Sequence, residues 1–75
     1  MTDVEHDMIT KLLARGSDVF RVGDLTGGDR SLTRKMVHIS SRWVKTGVVE
    51  LIYHTRKGNI MRIDRARLAG LLSDN

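Results

Sequence analysis

The residues with chemistry to offer are basic, and they lie close together. At about 100° per residue, Arg34, His38, Ser41 and Lys45 fall on one stripe of a helix spanning 31–46, flanked by Lys35 and Arg42. Leu32, Met36, Ile39 and Trp43 fall on the opposite stripe, which Val37 and Val44 are expected to widen. No acidic residue lies between Arg30 and Val49. Such a helix offers one side to a core and a uniformly cationic side to an anion, and nucleic acid is the anion this pattern suits. The competing reading of a basic helix face is plain solvated surface.

Other chemistries find little support. His6, His38 and His54 are far apart in the chain and lack metal-ligand spacing. Gly27-Gly28 has neither the spacing of a phosphate-binding loop nor its Lys-Ser/Thr. No nucleophile–base pair can be argued, and no cofactor is implied. The expectation is therefore a binding protein and not an enzyme. With no cysteine, disulfide scaffolds and thiolate zinc sites are out.

Charge distribution supports an anionic partner. The net charge of +4 is split unevenly along the 75 residues. Up to residue 29, Asp3, Glu5, Asp7, Asp18, Asp24 and Asp29 outweigh Lys11, Arg15 and Arg21. Beyond it, ten Lys and Arg face only Glu50, Asp64 and Asp74. One basic face toward a polyanion is the physical reading of that asymmetry. A membrane surface ranks lower, because no freely exposed apolar face backs the basic residues. The acidic start and the lack of a long apolar run make a soluble, cytoplasmic protein the expectation, associated with the nucleoid when bound to DNA.

The elements that must position these residues can be read in order. Thr2-Asp3-Val4-Glu5 fits a reciprocal capping box, opening a helix over about 3–15 that Gly16 ends. Val19-Phe20-Arg21-Val22 is a short extended piece, followed by a brief helix over about 22–27 with Leu25 inward. Gly27-Gly28-Asp29-Arg30 is a turn. Asp29 or Ser31 caps the basic helix, and Gly47 stops it in a left-handed conformation. From 48 to 63 the period becomes two: Val49, Leu51 and Tyr53 share one face, and Arg56-Lys57-Gly58-Asn59 turns the chain back. Asp64 caps a short helix over about 65–72, and Ser73-Asp74-Asn75 should fray. Without linker or repeat, residues 1–75 read as one α+β domain, mainly α.

In this order the chain resembles the winged helix-turn-helix domains of bacterial and archaeal transcription regulators, such as the MarR and ArsR classes. The matching residues are Phe20-Arg21-Val22-Gly23-Asp24-Leu25, Ser31-Leu32-Thr33-Arg34-Lys35-Met36-Val37-His38 and Trp43-Val44-Lys45-Thr46-Gly47-Val48-Val49, within about 5–64. The chain departs from the pattern at Ser40, where an apolar residue is usual, and at the double glycine. Ser40 would then bond back to a backbone carbonyl one turn earlier.

The resemblance implies a three-helix core with a β-hairpin wing, the third helix entering the major groove of double-stranded DNA. It makes Arg34 the leading base reader, since a guanidinium can bond guanine O6 and N7 together. Arg30, Ser31, Thr33 and Lys35 suit phosphate near the helix start. His38 suits a base, a phosphate or neither; Arg42 and Lys45 suit the backbone. Arg56, Lys57 and Asn59, with Arg62 behind them, form a hairpin tip for the minor groove or adjacent backbone. That tip could instead simply keep an edge strand soluble. The expected role is transcriptional regulation by a homodimer, built on Leu68, Leu71 and Leu72 with Val4 and Met8. Intramolecular packing of the last helix on the first is the other use of those residues. A protein-docking subunit of a replication, recombination or transcription assembly, or an RNA-binding module, are the alternatives.

Overall fold

The computed structural model describes residues 1–73. α1 runs Asp3–Ala14, β1 Val19–Phe20, α2 Gly23–Thr26, α3 Arg30–Thr46, β2 Val49–Thr55, β3 Gly58–Ile63 and α4 Arg65–Ser73. The class is α+β, mainly helical. The strands form one antiparallel sheet in the order β1-β3-β2. Among the described residues no helix is long and apolar enough to cross a membrane.

The start of α1 uses half of a capping box. Thr2 Oγ1 accepts from the Glu5 amide at 3.1 Å, as its spacing predicts. The reciprocal bond is absent, because the Glu5 carboxylate turns to α3 and accepts from Arg42 Nη2 at 2.7 Å and Trp43 Nε1 at 3.1 Å. Two cationic or polar donors on a packed neighbour outcompete one backbone amide that water can serve. The helix also stops before Gly16: Arg15 is already extended (φ −83°, ψ 147°). Its orphan carbonyls are met from far along the chain, where Arg65 donates to Leu13 O at 3.2 Å and to Arg15 O, and pairs with Asp18. A guanidinium at a helix C-terminus satisfies carbonyls and opposes the dipole together.

The extended Val19-Phe20 becomes a strand because it pairs with Arg62 and Met61 of β3. α2 is a single turn that buries Leu25. Gly27 and Gly28 come next at φ 59° and 89°, two successive left-handed residues that side chains rarely tolerate. Asp29, not Ser31, caps α3, its Oδ1 accepting from the Leu32 amide at 3.0 Å. Gly47 stops α3 at φ 83°, and the Arg67 guanidinium lies where its Cβ would be.

The hairpin is tighter than its sequence predicts. Only Arg56 and Lys57 lie outside the strands, and Gly58 (φ 123°) and Asn59 already belong to β3. A bulge at Ile52 breaks the alternation, since Leu51 opposes Met61 while Tyr53 opposes Ile60. One extra residue sends the remainder of β2 to the other face. Tyr53, grouped by periodicity with Val49 and Leu51, is consequently 57% exposed.

The core lies between α1, α3, α4 and the inner face of the sheet. Met8, Ile9, Leu12, Phe20, Met36, Trp43, Met61 and Leu68 are its most buried members. Asp64 caps α4 as expected, accepting from the Arg67 amide at 3.1 Å. Met8 and Leu68 are fully enclosed, and Val4, Leu71 and Leu72 pack partly buried against the same core. The last helix therefore packs on the first, enclosing Met8 and Leu68 and partly covering Val4, Leu71 and Leu72. Ser73 closes α4; the fraying expected of Asp74 and Asn75 lies outside the described residues.

Candidate nucleic-acid interface

α3 is one 17-residue rod whose first turn carries no acid. Its buried side is Met36, Ile39, Ser40 and Trp43. Ser40 goes in because its hydroxyl donates to Val37 O at 2.9 Å, which removes the penalty of burying it unpaired. Val37 and Val44, expected to widen the apolar stripe, are 45% and 37% exposed instead. The sheet approaches α3 from the side of Ser40, so the apolar strip is narrower than the helical wheel suggests.

The Lys and Arg side chains divide into two populations. Lys11, Arg21, Arg42, Arg62, Arg65 and Arg67 pair with Asp7, Asp24, Glu5, Glu50, Asp18 and Asp64 respectively. Arg15 reaches Val19 O. Among the described residues, those left without an ion pair or side-chain hydrogen bond are Arg30, Arg34, Lys35 and Lys45 on α3 and Arg56 and Lys57 at the hairpin tip. All six are exposed.

The hairpin tip lies beside α3. A cleft of ≈ 120 Å³ runs between α3 and the hairpin, lined on one side by Thr33, Val37 and Ser40 and on the other by Lys57, Gly58, Asn59 and Met61. The tip itself is braced: Thr55 Oγ1 donates to Gly58 O at 2.6 Å and accepts from the Lys57 amide at 3.2 Å. Arg56 and Lys57 are thus held in a tight turn by the Thr55 side chain, with their charges free.

Other residues expected at the interface have structural partners. Thr33 donates to Asp29 O at 2.7 Å and shares a 2.8 Å hydrogen bond with Thr26, tying α3 to α2. Arg42 belongs to the Glu5–Trp43 cluster, and Arg62 makes a cross-strand pair with Glu50 at 2.8 Å. Asn59 Oδ1 lies 2.6 Å from His54 Nδ1. Ser31 and His38 are exposed, and His38 borders a separate hollow with Lys35, Ile39, Thr2 and Val4. What residue-type reasoning missed is the exposure of Val37 and the structural use of Arg42. The one available signal was Ser40, a hydroxyl placed where an apolar residue belonged.

Among the described residues, every buried side-chain nitrogen and oxygen has a hydrogen-bond partner, and no cluster of His, Asp and Glu could hold a metal ion. Comparison with family models, with curated proteins and with solved structures gives no match to this chain. The reading of function therefore rests on the geometry and charge of this surface.

Proposed function

We propose that this protein binds double-stranded DNA sequence-specifically, as a small winged helix-turn-helix transcriptional regulator. In this reading α3 is the recognition helix and lies in the major groove. The β2–β3 hairpin is the wing, meeting the minor groove or the neighbouring backbone. The observation that carries the reading is the partition of charge: the cations without intramolecular partners come from α3 and the adjacent hairpin tip alone, among the described residues. Arg and Lys left without a carboxylate partner are suited to phosphate.

Dimensions support a division of roles. Arg30 and Lys45 are separated by about 22 Å along the helix axis, at 1.5 Å per residue. The major groove is about 12 Å wide, so both cannot reach base edges, and they fall to the backbone on either side. Arg34, nearer the helix start and between them, is the base reader. Arg30, with Ser31 and Lys35, serves phosphates at the N-terminal end. Arg56 and Lys57 serve the wing contact.

Selection from a random duplex library, with light scattering on the selected complex, tests this reading. An enriched motif is expected, and a pseudo-palindrome with half-sites about one helical turn apart would accompany a two-copy complex. A selection that returns no enriched motif would instead favour docking of the basic face on an acidic protein.

A further inference from the structure

Around Arg34 the exposed positions of α3 are polar, with one exception. Val37 is 45% exposed although its neighbours on that side are Arg34, His38 and Ser41. A single exposed valine is ordinary on a protein surface. Its position sets this one apart. It stands three residues beyond Arg34, about 60° round the helix toward the hairpin, and lines the cleft opposite Lys57 and Gly58.

We propose that Val37 reads the 5-methyl group of a thymine in the major groove, beside the base pair read by Arg34. This rests on the DNA-binding reading above and adds a specificity residue to it. The thymine methyl is the one apolar group that the base pairs present in that groove. The free cations of α3 and the hairpin tip match a polyanionic duplex rather than an apolar partner. Three residues of helix rise about 4.5 Å. Base pairs are spaced about 3.4 Å along each strand, so the thymine lies one or two base pairs from the guanine. Val44 is exposed on the same side but about 10.5 Å farther along the axis than Val37, beyond reach of the same base.

Single replacement of each thymine in the selected site by deoxyuridine removes only the methyl group. At one position, one or two base pairs from the guanine, this is expected to weaken wild-type binding about fourfold, from the burial of one methyl-sized group. Val37→Ala should bind the thymine and uracil duplexes equally, whereas Val44→Ala should keep the fourfold difference. Val37 is exposed, so its alanine variant should unfold at the wild-type temperature, which a thermal melt verifies. Unchanged wild-type affinity at every uracil position would overturn the proposal, as would a Val37→Ala protein that still discriminates. Loss of sequence selection altogether would bring down the DNA-binding reading as well; selection that is indifferent to uracil would remove only the role of Val37.

Discussion

Arg42 and Lys45 lie three residues apart on one helix, yet they meet different surroundings. Arg42 reaches across to α1 and closes on the Glu5 carboxylate, which also accepts from Trp43 Nε1. Lys45 meets no carboxylate at all and borders the open side facing the hairpin. The same contrast separates α4 from the hairpin tip. Arg65 and Arg67 turn inward, Arg65 to the carbonyl end of α1 and Arg67 to Thr46 O at the end of α3. Arg56 and Lys57 are exposed without a partner. Basic residues thus fall into two groups here, one closing helix ends and pairing elements, the other without an intramolecular partner. Net charge overstates the binding surface, because it counts both.

That contrast can be broken most severely at Arg65. Its replacement by alanine strands carbonyls at the end of α1 and leaves Asp18 unpaired, so unfolding free energy should fall by about 1.5–3 kcal/mol. For a domain of this size that lowers the melting temperature by roughly 4–8 °C per kcal/mol, measurable by calorimetry. Duplex affinity at a temperature where the variant remains folded should stay as in the wild type. A large loss of affinity there would place Arg65 in the wrong population.

Arg34→Ala should act in the opposite sense. Affinity for the selected duplex should drop by about 1–3 kcal/mol and selectivity at one base pair should relax, with the melt unchanged. Equal losses on selected and random duplexes would demote Arg34 to a phosphate contact.

The Arg42 and Lys45 pair sharpens the comparison within one helix. Lys45→Ala should weaken all duplexes alike and reduce the slope of log K against log salt by about one unit. Arg42→Ala should leave that slope unchanged and reduce stability by about 1–2 kcal/mol, because the Glu5 side chain is only 12% exposed and loses one of its two donors. Smallest of all, Arg62→Ala removes an exposed cross-strand pair with Glu50 and should shift stability by about 0.2–1 kcal/mol, read from the denaturation midpoint. If Arg62→Ala lowers the salt slope instead, the wing surface extends along β3.

Much of this architecture was legible because its causes are local. Asp29, Gly47 and Asp64 act on backbone groups close to themselves in the chain, so the ends of α3 and the start of α4 can be read from spacing. The free cations of the candidate interface were legible for a related reason: nothing else in the fold competes for them. The errors fall where a distant partner decides. Glu5 abandons its own helix cap for Arg42 and Trp43, and Arg65 closes a helix whose end lies 50 residues upstream at Arg15. The bulge at Ile52 is set by pairing with β3, and periodicity along β2 alone placed Tyr53 on the wrong face.

By itself, then, the order of residues determined where α3 begins and ends and where α4 begins, which side of α3 is greasy and which basic, and where the chain turns at Gly27, Gly28 and Gly58. These depend on backbone sterics, side chains within one turn and the period of apolar residues. Only the tertiary structure decided which cations are neutralised, that Ser40 is covered while Val37 is open, and that the last helix seals the first. Those outcomes depend on which surfaces meet across the chain, and no window of neighbouring residues contains that.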